Sequence, residues 1–567
     1  MSLTTLSNHA LVLLLALLTA FFTSCATRQT SDFRESDDAA RLGKITFPTS
    51  AKSAQAQAHF LRGVAALHSF WYRVALDEFR AATRIEPDFM MGYWGEAMAH
   101  NHPIWGDPQE TEAARKALQK IKDTAKLTPC EQAWVNAVQI LYGDGDKVAR
   151  DKAYAAAMEK IHREYPDDAE AALFYALALM GTVRLEDPAG VQTRLRAGEI
   201  AAAVYQKNPD HPGAAHYVIH AYDDPEHARM ALDAARRYAR IAPAAPHALH
   251  MPSHIFLQLG MWPEAVSSNE ASWAASDEWV KQKNLPVSQR DYHSLHWLMY
   301  GCLQQGRADR AKEQLTLMRE SFMRFPKDDQ RNLIFGAFTQ AQMAATFVIE
   351  TEQWKAAEQL LPPADEMKAQ PDGAPDPYQA YAVVAQIPLI FARSLAAAAQ
   401  DLPAAQTSAS ELRAIREKAS GVKEPFVAEI VRMTEIQEIE IAAMAAAAQN
   451  NFDEAISMMR KATKLEEATP PPPGPPPVIK PSHELFGELL LRAGRAKEAA
   501  EQFSISLRRH PNRARSLLGA ARAAAKSGDT QSTIKFYQQF AEQWRQADAS
   551  SPESREARIY LQQTSAH

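Results

Sequence analysis

The chain has 567 residues, enough for several ordinary domains or one long repeat array, and its 46% hydrophobic and 23% charged content marks it as globular rather than disordered. With 62 Lys and Arg against 68 Asp and Glu the net charge is -6, which argues against the basic footprint of a nucleic-acid-binding surface. Alanine is abundant, Gly numbers only 22, and no long stretch alternates apolar with polar residues, so the class expected is all-α.

The first 25 residues read as a leader. Their apolar run, ALVLLLALLTAFFTSC, is too short and too close to the N-terminus to be taken for a membrane span. It ends in Phe22-Thr23-Ser24-Cys25, which resembles a bacterial lipoprotein cleavage box. That resemblance implies a diacylglyceryl group on Cys25, loss of everything before it, and an extracytoplasmic protein tied to a bacterial membrane (outer, or facing the periplasm) through lipid alone. One feature departs from the pattern: residues 1–10 contain no Lys or Arg, and simple secretion to the periplasm or beyond, or a retained anchor, are the alternatives. Residues 26–50 read as a polar tether. Cys130 and Cys302 stand far apart in helical patterns and are expected as unpaired core thiols, with a disulfide as the alternative.

From residue 51 the chain repeats. In GELLLRAGRAKEAAEQFSISLRRHP, small residues at Gly487, Gly494 and Ala499 precede Phe503, Leu507 and Pro511. Thirty-four residues on stand Ala521, Gly528, Thr533 and Tyr537, with Phe540 three further on, and Gly63, Ala75, Phe79, Ala82 and Pro87 keep the same offsets. This pattern resembles the tetratricopeptide repeat (TPR). The resemblance implies antiparallel helix hairpins, packed closely at small residues in repeat positions 8 and 20. A large residue at 24 fills the gap between hairpins, and proline at 32 ends the second helix. Position 20 runs as a ladder through Ala75, Tyr154, Ala197, Ala231, Ala265, Ala311, Ala357, Ala405, Ala455, Ala499 and Thr533.

The expected fold is thus an all-α solenoid of about ten to eleven antiparallel hairpins, a TPR-like superhelix. N-terminal repeats fill 51–210, His-rich repeats 211–305 and extended repeats 306–468. The loop TPPPPGPPPVIKP at 469–481 reads as a stiff connector. A C-terminal pair of repeats at 482–545 and a tail at 546–567 follow. QPDGAPDP at 370–377 reads as a further loop, and residues 105–150 fit the repeat poorly.

Histidines four apart recur in HYVIH, with His216 and His220, and in HMPSHIFLQLG, with His250 and His254. The resemblance implies that positions 2, 5, 9, 12 and 13 of each first helix line the concave groove. Over three consecutive repeats, position 2 holds Gly213, His247 and His293, and position 5 holds His216, His250 and His296. Position 9 holds His220, His254 and Tyr300, and positions 12 and 13 hold Asp223 and Asp224, Leu257 and Gln258, Leu303 and Gln304. Seven of these fifteen slots are histidine, against about half of one expected from 18 histidines in 567 residues.

Imidazoles four apart share a helix face and can reach one metal ion together, and a neighbouring hairpin can complete the set. His216, His220, His250, His254, His293 and His296, with His247 as a lesser member, are the candidate ligands for zinc, copper, iron or nickel. Asp223 and Asp224 are candidate carboxylate ligands or acceptors that fix a tautomer. Pro252 is expected to push His250 and Met251 toward extended backbone or a helix start, away from His254. The same cluster can serve without metal, as general bases, as a site for an anionic ligand, or through hydrogen bonds between hairpins.

A second groove feature is GYWGEAMAHNHPIW at 92–105. Here Trp94, Asn101 and His102 join His68 as candidate ligand-groove residues, together with Asp223, Asp224 and Tyr300; Glu96 is a candidate acid or base, and packing between hairpins is the alternative. No phosphate loop, HExxH, GxSxG or CxxC occurs. The blocks YWGEAM, NHPIW, HYVIHAYDD and HMPSHIFLQLGMW together resemble a group of bacterial TPR proteins, a resemblance that implies the fold but no reaction. The leading expectation is a concave groove that binds a protein or peptide, with a histidine cluster suited to a transition metal and no nucleic acid. The rivals are a metal-dependent hydrolase or oxidoreductase on the same histidines, and a pure assembly scaffold.

Overall fold

Helices follow one another in antiparallel pairs, from Ala54–His68 and Tyr72–Ile85 to Ala514–Ser527 and Thr530–Gln543, and Pro552–Ser565 ends the stack. The computed structural model describes residues 41–104, 109–184, 189–362, 384–400, 404–421 and 425–565, and no strand occurs among them. The leader with Cys25, most of the tether, Trp105 and the loop at 370–377 lie outside the described residues.

The repeat pattern explains the pairing. Phe79 lies in the cleft between its own hairpin and the next, where a Cβ on Gly63 would come within 2.7 Å of its ring; Gly487 and Phe503 repeat the arrangement. The helix–helix turn needs a left-handed residue, and the position five before the ladder supplies it: Gly260, Gly306, Gly494 and Gly528 all have φ between 65° and 81°. The same slot holds Asn450 at φ 61° and, less comfortably, Phe70 at φ 51°. At the start of the poorly fitting stretch, Thr111–Leu118 pairs with the preceding Met90–Met98 as one further short hairpin. Cys130 is half-buried and Cys302 buried, and both are free thiols.

Two segments lie elsewhere than their composition suggested. Residues 41–50, read as the end of a tether, pack on the solenoid: Phe47 is buried against Phe60, Trp94 and Trp134, and Lys44 N–H donates to Asp210 O at 3.1 Å. The proline-rich loop does not bridge two repeats through solvent but turns into the concave side. Gln258 Nε2 donates to Pro472 O at 2.8 Å, Arg509 reaches Thr469 O at 3.0 Å, and Gly474 lies so close to Trp297 that a Cβ there would be 2.7 Å from the ring. Proline has no N–H to satisfy, so such a segment can line a cavity with carbonyls alone.

The solenoid also closes on itself. Trp262 Nε1–H donates to Asn512 O at 2.8 Å, Trp544 Nε1–H to Gln304 O at 2.9 Å, and Asp548 N–H to Gly306 O at 3.0 Å. At the centre of this seam Arg513 is 1% exposed. Its guanidinium pairs with Glu484 at 2.7 Å and Glu350 at 2.6 Å and donates to the Tyr300 hydroxyl at 2.9 Å.

Candidate metal centre in the concave cavity

The curl encloses a cavity of about 1220 Å³. His220, His247, His254, His293 and His296 face it from the first helices of three hairpins, Phe335 and Phe338 from a fourth, and Pro470 to Pro473 from the loop. Its size exceeds the roughly 300–1,000 Å³ of small-molecule pockets.

Local sequence sets the rings. Pro212 opens the helix Pro212–Ala221, and the His211 ring accepts from Ala214 N–H at its start. His216 and His220 therefore lie one turn apart on that helix, with ring centres separated by 4.7 Å. In the next hairpin Pro252 divides the helix into Pro246–His250 and Pro252–Gln258, yet Met251 stays right-handed at φ -53°, ψ -35°. Of the two conformations expected before proline, the helix start is found, with Pro252 opening the second segment, and the extended one is not: the backbone keeps its helical path through the break. His250 remains one turn below His254, and their Nε2 atoms face each other at 3.1 Å.

The outer ring nitrogens are committed. His250 Nδ1–H donates to Asn269 Oδ1 at 2.6 Å, and His254 Nδ1–H donates to Asp223 Oδ2 at 2.6 Å. His216 Nδ1–H donates to the His68 carbonyl at 2.7 Å. Each of these bonds leaves a lone pair on Nε2, the form that binds metal. Ligand nitrogens of His250, His254 and His293 all lie within 4.8 Å of one another, and so do those of His216, His220 and His247.

Burial keeps the imidazoles neutral. It pushes His220, His254 and His296 down to about 3, and takes His216, His247 and His250 well below their ordinary value. Burial also raises the Asp223 carboxyl to about 7. The Asp223–His254 pair therefore takes up one proton as pH falls through neutrality.

The remaining expected site residues are placed differently. Trp94 is 1% exposed and sits among Phe47, Phe60, Trp134 and Phe174, a core residue rather than a groove one, because the N-terminal segment covers it. Asn101 accepts from Gln109 Nε2 and His102 packs on Tyr72; neither lines the cavity. Tyr300 belongs to the Arg513 seam. Asp224 lines the cavity but is engaged by Arg194, by the His227 ring and by two backbone N–H groups. Glu96 is held by Arg80 and Lys120.

His68 is buried, its Nε2 2.6 Å from Glu170, which His211 also contacts at 3.0 Å, while the Tyr217 hydroxyl meets His68 Nδ1 at 2.8 Å. With both rings as N–H donors to one carboxylate, and both Nδ1 atoms as acceptors, this trio is a satisfied core network whose ring nitrogens are all committed.

Three contributors went unread in the sequence. Trp297 packs on His254 with ring centres 4.4 Å apart and the rings tilted by 38°. Phe70 covers His216, His220 and His247 at 4.4, 5.7 and 5.6 Å. Asn269 does carry a signal: it occupies position 24, where the repeat usually holds a large apolar residue, and it is fully buried.

Fold and site together define an all-α solenoid of TPR-like hairpins enclosing a histidine-lined cavity. No family model matches the chain, and no curated protein does. Among solved structures it is similar to the human IFIT1 dimer with PPP-AAAA, at 13% identity over 90% of this chain and 94% of that one, with a TM-score of 0.36. It is also similar to yeast Tom70 at 12% identity over 90% and 96%, TM-score 0.27, and to the P58(IPK) TPR domain at 14% over 70% and 99%, TM-score 0.21. Likeness at that level carries no inference about ligand or partner.

Proposed function

We propose that this solenoid binds a protein or peptide segment in its concave cavity, beside a transition-metal ion held by its histidines. The observation that carries the reading is the approach of His250 Nε2 and His254 Nε2 to 3.1 Å while both Nδ1–H groups are donated elsewhere. Two lone pairs at that distance repel unless a proton or a metal ion lies between them, and the spacing suits a metal: ligands about 2.0–2.1 Å from a tetrahedral ion stand about 3.3 Å apart. An all-imidazole set without thiolate suits zinc, copper, iron or nickel. The proline carbonyls and phenylalanine rings opposite suit an extended peptide. The sequence of the leader supports an extracytoplasmic place, with Cys25 as lipid anchor.

Three imidazoles leave a coordination position toward the cavity, which favours a metal-dependent hydrolase or oxidoreductase as the second reading. Against it, the neighbouring carboxylates are engaged: Asp223 by His254 and Gln258, Asp224 by Arg194 and His227.

The test is elemental analysis of the untagged chain, as purified and after reloading with zinc, copper, iron and nickel, beside His250→Ala/His254→Ala. Metal retained by the wild type and reduced in the variant is the expected result. No metal under any loading would leave the cavity as a metal-free binding groove.

A further inference from the structure

We propose that the histidine stripe holds two metal ions, in two centres generated by the repeat itself; the proposal rests on the metal-binding reading above. In repeat register, His216 and His220 occupy positions 5 and 9 of one hairpin and His247 occupies position 2 of the next. His250 and His254 occupy positions 5 and 9 of that next hairpin, and His293 occupies position 2 of the one after. The ligand set is therefore the same three slots, shifted by one repeat, and in each set the three ligand nitrogens converge within 4.8 Å. The third hairpin breaks the series. His296 fills its position 5, but position 9 is Tyr300, whose hydroxyl is spent on Arg513.

The first set has the character of a centre in its own right. His216 Nε2 lies 3.2 Å from His247 Nε2, and the His216 tautomer is fixed by the bond from its Nδ1–H to the His68 carbonyl. His220 Nε2 is buried with no hydrogen-bond partner and points into the same space. Phe70 seals this set from one side, as Trp297 seals the other. The two sets adjoin: ring centres of His220 and His254 are 5.7 Å apart, and those of His247 and His250 are 5.9 Å apart. Six neutral imidazoles bring no negative charge, and Asp223 beside His254 and Asp291 beside His250 and His293 offset only part of the charge of two divalent ions. The pair therefore takes a small anion or hydroxide on its cavity side, where His220, His247, His254 and His293 are open.

The experiment counts ions. The untagged full chain, stripped with chelator, is loaded with zinc, dialysed and analysed, and a parallel cobalt titration follows the ligand-field absorbance of tetrahedral Co²⁺. His247→Ala and His293→Ala are the variants of choice, because these rings face the cavity rather than the core, and circular dichroism checks their fold. The result expected is two ions in the wild type, one in each single variant and none in the double variant, with cobalt absorbance falling by about half per substitution. One ion in the wild type, lost in both single variants, would mean a single shared centre and overturn the pair while leaving the metal reading intact. Two ions of which neither substitution removes one would place them elsewhere and also overturn it. No ion at all in the wild type would remove the metal reading itself.

Discussion

His254 Nδ1–H donates to Asp223 Oδ2 at 2.6 Å, so a carboxylate just beyond the end of one hairpin's first helix aims the imidazole of the next hairpin. Gln258 Nε2 holds the other oxygen at 3.2 Å. Asp223→Asn keeps the size but loses the charge that makes the ring a better ligand. It is expected to weaken zinc affinity about 10- to 100-fold, in line with outer partners of metal-bound histidines. Competition against a chromogenic chelator at pH 8 reads this directly, and unchanged affinity would mean that His254 does not touch the ion.

The metal-free protein should be acid-labile. His216, His220, His247, His250, His254 and His296 are all depressed by burial, the three with values to about 3. Below about pH 6.5 the unfolded chain protonates these rings while the native state does not. Stability then falls as pH drops toward 3, by up to about 1.4 kcal/mol per pH unit for each ring that stays neutral. Asp223 acts in the opposite sense. Raised to about 7, it takes its proton first in the native state and offsets one imidazole between pH 7 and its ordinary range. Melting midpoints at pH 7.5, 6 and 5 should decline throughout; a flat profile would contradict a neutral stripe.

Arg513 bonds Glu484, Glu350 and Tyr300 from a fully buried position. Arg513→Met removes the cation, strands Glu350 with only the Gln304 amide and leaves Glu484 to Lys480, a loss expected at about 3–5 kcal/mol. Urea unfolding measures it. Adding Glu350→Gln to Arg513→Met should recover part of the loss, since the stranded charge is then gone.

Phe70 separates its backbone from its side chain as a test. At φ 51° it stands where four other repeats use glycine, while its ring packs on three histidines. Phe70→Ala should be less stable than the wild type, and Phe70→Gly more stable than Phe70→Ala by about 1 kcal/mol, because only glycine takes the left-handed turn without strain. Equal stability of the two variants would mean that the turn relaxes to another conformation.

The hairpins and the histidine register were legible because both are local and periodic. The ladder from Ala75 to Thr533 follows the second helices, and positions 2, 5 and 9 do deliver His216, His220, His247, His250, His254 and His293 to two compact sets. What escaped is long-range. Trp94 reads as a groove residue until Phe47 covers it, and Tyr300 until Arg513, more than two hundred residues on, claims its hydroxyl. The proline loop reads as a spacer because composition reports stiffness, not direction, and only the curl of the solenoid brings it opposite the histidines. Pro252 misled for a different reason: its preference for extended backbone before it is a bias that helix packing on both sides overrides.

The seam changes what kind of object this repeat protein is. An open solenoid behaves as a one-dimensional chain in which each hairpin knows only its neighbours and the ends fray independently. Here Trp262 is tied to Asn512 and Gly306 to Asp548, so the hairpins between them form a loop with no loose end. Losing any one of those hairpins opens the seam, and opening the seam releases the proline segment that faces the histidines. The middle and the C-terminal repeats should therefore unfold together, in one transition, and the histidine cavity should vanish with it.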